Sequence, residues 1–104
     1  VTTVQIVYWR DIPAQVKVRS GRARAARPLA DRFQQAIDAA AMRAGASGTD
    51  AYLAEWRTSE PVDRDGDPET VAAAAASELE AAYSDARLRE LVGRGGREAE
   101  REKT

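Results

Sequence analysis

The sequence predicts an α+β domain, a small three-stranded sheet carrying two main helices in the order β-β-α-β-α. Three observations point there. Residues 3–10, TVQIVYWR, are β-branched and aromatic. Residues 15–19, QVKVR, alternate apolar with polar or basic side chains. Two later stretches, opening at Pro28 and Pro68, space their apolar residues three and four apart.

Taken in order, the first strand places Val4, Ile6 and Tyr8 on one face and Gln5, Val7 and Trp9 on the other. Both faces are fairly apolar, so this strand is expected at the centre of the sheet. Asp11-Ile12-Pro13-Ala14 reads as a turn, because proline presets φ and aspartate can accept from the next backbone amides. The second strand turns Val16 and Val18 inward and Lys17 and Arg19 outward. Arg22–Arg27 then reads as a basic connector. Pro28 suits a first helical turn, and Leu29, Phe33, Ile37 and Ala40/Ala41 form one stripe, so a helix is expected over 28–44, closed by Gly45. Phe33 is its main knob.

Residues 51–58, AYLAEWRT, fit a strand, with Tyr52, Ala54, Trp56 and Thr58 on one face. They also fit a helix, with Tyr52 and Trp56 one turn apart. The short length, the leading glycine and Pro61 favour the strand, which a right-handed crossover would lay beside the first. Asp67-Pro68-Glu69 is a helix start, with an aspartate cap, proline at the first position and an acid in the first turn. The alanine-rich run after it is strongly helical, and Leu88, Leu91 and Val92 extend the helical pattern. From Gly93, GRGGREAEREKT is glycine and charge, which predicts a flexible tail at 93–104 behind a single domain at 1–92.

Composition removes whole classes of chemistry. The 104 residues include no cysteine and no histidine. Disulfides, thiolate nucleophiles, the usual zinc sites and imidazole acid–base catalysis are therefore absent from this sequence. No cofactor and no metal site is expected. "VDRDGD" resembles a calcium loop, but the glycine and glutamate such a loop needs fall on Pro68 and Ala74. The carboxylate pairs Glu55/Glu60 and Glu78/Glu80 carry no sign of burial, and no phosphate-loop motif occurs. No apolar run approaches membrane-spanning length, and no charged-then-apolar leader opens the sequence, so the expected compartment is the cytoplasm, with no membrane partner.

Charge is nearly balanced at −1 but unevenly placed. Residues 17–32 hold six basic side chains (Lys17, Arg19, Arg22, Arg24, Arg27, Arg32) against Asp31 alone, whereas residues 50–90 hold eleven acids against four arginines. Arg22, Arg24 and Arg27 are candidate anion-binding residues. With Tyr8, Trp9 and Trp56 they invite a single-stranded nucleic-acid reading, which the acidic overall balance and the missing RNP1 pattern disfavour.

Three blocks, VQIVYWRDIPAQV, LADRFQQAIDAAAMRAG and GTDAYLAEWR, together resemble the small bacterial "virulence factor" domain family, and are similar to the domain in conserved virulence factor C proteins. That resemblance covers about residues 3 to 60. It implies an accessory protein, with corrinoid- or folate-dependent methyl transfer as a context. The family name records a phenotype, so it carries no catalytic residue across. The blocks draw attention to Trp9, Arg10, Asp11 and Gln15, to Arg32 and Gln34, and to Asp50, Tyr52, Glu55, Trp56 and Arg57. If the third strand neighbours the first, Trp9 and Trp56 share a face and Arg10 can meet Asp50 or Glu55.

The expectation is thus a non-enzymatic accessory or interaction module. It would bind a larger protein, or a second copy, through a sheet surface of Tyr8, Trp9, Arg10, Asp11, Gln15, Trp56 and Arg57. The alternatives are a subunit of a methyl-transfer system and a nucleic-acid binder. A polar network that only fixes the hairpin stands against all three.

Overall fold

The structure is a computed structural model and describes residues 2–46 and 48–98. The class is α+β, as expected, but the sheet has five strands rather than three. The elements run β1 (Thr3–Trp9), β2 (Ile12–Ser20), β3 (Ala23–Pro28), α1 (Asp31–Arg43), α2 (Thr49–Ala54), β4 (Trp56–Thr58), β5 (Val62–Asp63), α3 (Pro68–Ala82) and α4 (Asp85–Gly93). The sheet order is β3-β2-β1-β4, with β5 also on β1, and every pairing is antiparallel.

The β1–β2 hairpin turns earlier than the proline suggests. Trp9 pairs with Ile12, so Arg10-Asp11 is the loop and Ile12-Pro13 already belongs to β2. The register slips between Val7 and Tyr8, leaving Ala14 as a bulge in β2. Trp9 and Ile12 are fully buried, like Val16 and nearly like Val18.

The basic connector is a strand. Its composition, ARAARP, disfavours strand, but Ser20-Gly21-Arg22-Ala23 is a two-residue hairpin loop with Gly21 at φ +60°. Once that turn forms, β2 supplies the ladder and Ala25 packs against the core. Pairing overrides propensity here.

Residues 51–58 divide between the two readings. Gly48 precedes one and a half turns of helix, α2, rich in alanine and leucine; only Trp56-Arg57-Thr58 is extended. This piece lies beside β1, with Trp56 opposite Trp9, but antiparallel rather than through a parallel crossover. Farther along the same edge β5 pairs with Thr3 and Val4, and Ser59 bridges the gap: its Oγ accepts from Ile6 N at 2.9 Å and its N–H donates to Ile6 O at 2.9 Å.

The helices follow their sequence signals closely. Pro28 ends β3, so α1 starts at Asp31 rather than at 28, and it closes through Gly45 at φ +71°, whose N–H donates to Met42 O. Asp67 caps α3 by accepting from Thr70 N at 3.2 Å, with Pro68 at the first position. Ser84 caps the separate helix α4. α3 lies against β2 and β3, while α1 packs against β2 and α4. Phe33 is the buried knob expected of it and meets Tyr83 edge to face at 6.0 Å. Among the described residues no helix is long and apolar enough to cross a membrane.

The expected tail at 93–104 is partly structured. Gly95 and Gly96 are buried and Arg97 and Glu98 follow along the β1–β2 turn; residues 99–104 lie outside the described residues.

Candidate functional site

Two basic regions stand at opposite ends of the β1–β2 hairpin. The first is the turn. Arg10 adopts φ +55°, the left-handed conformation that glycine normally supplies in a two-residue loop, so its neighbours must hold it. They do so from two distant segments and from the adjacent Trp9. Arg10 N donates to Glu55 O at 3.1 Å, and Nη1 donates to Gly95 O at 2.9 Å. Nη2 lies 3.5 Å from Glu55 Oε2, and the guanidinium sits over the Trp9 ring at 5.1 Å. The Arg10 side chain is only 15% exposed, and its buried Nε has no partner among the described residues.

Asp11 and Arg57 complete this end. Asp11 N donates to Gly96 O at 2.8 Å, and Asp11 Oδ2 accepts from Glu98 N at 2.7 Å. Arg57 donates from Nε to Arg10 O at 3.0 Å and from Nη2 to Asp11 Oδ1 at 3.2 Å, and lies 4.4 Å over Tyr8. Trp9 is 0% exposed, donates its indole N–H to Tyr52 O at 2.9 Å and stacks on Tyr52, which meets Trp56 edge to face. A Cβ on Gly96 would stand 2.9 Å from the Trp9 ring, so only glycine lets this strap lie on the indole.

The expected partner-binding group is therefore mostly turned inward. Trp9 is buried; Tyr8, Arg10, Asp11, Gln15 and Trp56 are half-buried; Arg57 alone is exposed. Arg10 meets Glu55, as one of its two expected partners, and forms no pair with Asp50. Arg32 is also spent internally, donating to the Tyr83 and Glu80 carbonyls.

The second basic region is the open face of the sheet. Strand pairing sets Thr3 beside Arg19, Gln5 beside Lys17, Arg19 beside Arg24 and Lys17 beside Ala26. Partners in register share a face, so these side chains form one surface. It lines a shallow concavity of about 510 Å³, closed at one side by Pro61. Among the described residues Lys17, Arg19 and Arg24 make no ion pair, whereas Arg10, Arg32, Arg57, Arg64, Arg87 and Arg97 each make one.

The three candidate anion-binding arginines do not converge. Arg24 joins Lys17 and Arg19; Arg22 sits in the turn; Arg27 opposes Val16 and so falls on the other face, at the rim of a second concavity. Sequence reasoning turned Lys17 and Arg19 outward but left them out of the site. The missed signal was Gly21 at the first position of a two-residue loop, which places Arg24 across from Arg19.

Three carboxyl or phenol groups have shifted ionisations, and one of them, Tyr83, lies close enough to the turn to feel Tyr8 and Asp11. The hydrogen bonds from Thr70 hold the Asp67 carboxyl below the usual carboxylate range, and the Arg64 hydrogen bond does the same for Glu78. Burial pushes the Tyr83 phenol up. Each of these has a structural cause, a helix cap, a surface ion pair or a core position. Among the described residues no group of three or more potential ligands could hold a metal ion.

No curated protein and no solved structure matches the chain. A family model, described as virulence factor, matches residues 7–92, from the middle of β1 to the last turn of α4. It takes in the Arg10 turn, Lys17, Arg19 and Arg24, and stops short of the Gly95–Glu98 strap. Through a match over that much of its length, the chain belongs to the virulence factor family.

Proposed function

We propose that this protein is a non-enzymatic accessory module that binds a larger protein through the basic open face of its sheet. The observation that carries the reading is the uncompensated charge of Lys17, Arg19 and Arg24 around one concavity. Arg19 and Arg24 oppose each other across two strands, an arrangement that costs folding energy when nothing negative lies between them. Six arginines elsewhere in the fold do pair with carboxylates, whereas these three basic side chains gather on one face with none among the described residues. A negative partner would relieve the repulsion and gain several charge-assisted contacts.

The non-enzymatic part rests on what the side chains can do. Without histidine or cysteine, proton transfer would fall to carboxylates, lysine or tyrosine. Those whose ionisation is shifted serve a cap, an ion pair and the core. The aromatic part of the expected surface is replaced by Thr3, Gln5 and Pro61, because Trp9 is core.

The test compares the full-length chain with a K17E/R19E/R24E variant, each immobilised and exposed to native lysate. A single stoichiometric partner is expected on the parent chain, released as salt rises and missing from the variant. Recovery of the same proteins in the same amounts by both would overturn the reading.

A further inference from the structure

We infer that the outer edge of β3 receives an extended acidic segment of the partner as an additional strand. The inference rests on the proposed role of the basic face and names the class of ligand it takes. β3 ends the sheet order, so its outer side is unpaired among the described residues. Leu29 N donates to Ala14 O at 3.0 Å, continuing the ladder with β2. By strand alternation the backbone groups of Arg27 and Ala25 then face β2, and those of Ala26 and Arg24 face outward. The proline at 28, which has no N–H, falls on the outward set and removes nothing from the ladder. Two adjacent outward positions, Arg24 and Ala26, keep donors and acceptors that a new strand can take up.

Charge decides the occupant. Two copies of this edge would bring arginines together, which keeps identical edges apart. The same arginines attract an acidic strand. Side chains of that strand pointing to the open face would meet Arg24, with Lys17 and Arg19 beyond it. Side chains pointing the other way would meet the small residues Ala73 and Ala76 of α3, beside a concavity of about 350 Å³ between that helix and the end of β3. The chemistry that fits is therefore alternation of Asp or Glu with a small apolar residue over about five positions, a typical strand length.

The test titrates the full-length chain against a fluorescein-labelled ten-residue peptide alternating glutamate with valine. Two further peptides carry N-methyl groups on alternate residues, in one register and in the other. The parent peptide is expected to bind, one N-methylated register to lose about tenfold in affinity and the other to bind as before. Amide exchange at Arg24 and Ala26 is expected to slow when the parent peptide is present. Binding that ignores both N-methyl registers and leaves those amides unprotected would overturn strand addition while leaving the basic face as a partner surface. Absence of peptide binding would overturn the inference, and the lysate comparison would then judge the proposed function separately. Protection of the same amides on raising protein concentration alone would overturn it in favour of a second copy. Displacement of the peptide by an equal concentration of ten-residue oligothymidine would overturn it in favour of nucleic acid.

Discussion

The two ends of the β1–β2 hairpin both carry arginine on strands of similar make-up, yet they use it in opposite ways. At the turn, Arg10 and Arg57 are held by Glu55, Asp11 and the Gly95 carbonyl. At the far end, Arg19 and Arg24 oppose each other with no carboxylate paired to either among the described residues. The difference arises from chain segments that arrive, or fail to arrive, from far away in sequence. Glu55 comes in on α2 and β4, and the Gly95–Glu98 strap returns after α4. Among the described residues nothing comparable folds over the open face. An arginine beside an aromatic is thus no sign of a binding surface by itself; what matters is whether the rest of the fold has already satisfied it.

The largest effect that can break this contrast is at Trp9. Its ring is fully buried, stacked on Tyr52 and covered by Gly96. Trp9→Ala is expected to lower stability by about 3–5 kcal/mol, the usual cost of removing a large core aromatic. Urea unfolding followed by far-ultraviolet circular dichroism measures it. A loss below about 1 kcal/mol would show the turn end to be only loosely attached, and the distinction between the two ends would fail.

Arg10 sharpens the contrast because two costs there have separate remedies. Arg10→Ala removes the charged hydrogen bond to Gly95 O while keeping a Cβ at φ +55°, and a loss of about 2–3 kcal/mol is expected. Arg10→Gly removes the same bond but relaxes the backbone, so it should be less damaging by about 1 kcal/mol. Denaturant midpoints of the two variants give the difference directly. Equal midpoints would mean that the turn stores no strain.

Much of the fold was legible in the sequence. Alternation identified β2 and its inward valines, apolar spacing identified α1 and α3, and Asp67-Pro68 marked the start of α3 within a residue. What could not be read were contacts whose partners lie far along the chain. The burial of Arg10 depends on Gly95, eighty-five positions later. β3 has the composition of a connector, and only its pairing to β2 makes it a strand. Residues 51–58 satisfied both periodicities because both were present, helix to Ala54 and strand from Trp56. For the candidate site, the outward pointing of Lys17 and Arg19 was visible, while their union with Arg24 required the Gly21 turn. Trp9 was misplaced as a surface residue because the groups that cover it, Tyr52 and Gly96, lie far along the chain.

The smallest expected effect lies at the open face, and its sign is the informative part. Since Arg19 and Arg24 are cross-strand neighbours, R24E turns a like-charge pair into an opposite pair. Stability should hold or rise, by about 0.2–1 kcal/mol, and R19E should behave alike. The double variant R19E/R24E restores a like-charge pair, now negative, and should fall back to the parent value within about 0.5 kcal/mol. A four-variant cycle of urea midpoints at low salt reads this coupling, and high salt should shrink it. A turn-end arginine replaced in the same way would lose stability, because its carboxylate partners would be left facing another acid. If R24E instead cost more than about 1 kcal/mol, Arg24 would have a structural partner of its own, and the open face would be no more available than the turn. A gain in stability joined to a loss of partner capture in that variant is the combination that only a binding surface produces, since the charge that hinders folding would then be retained for an external ligand.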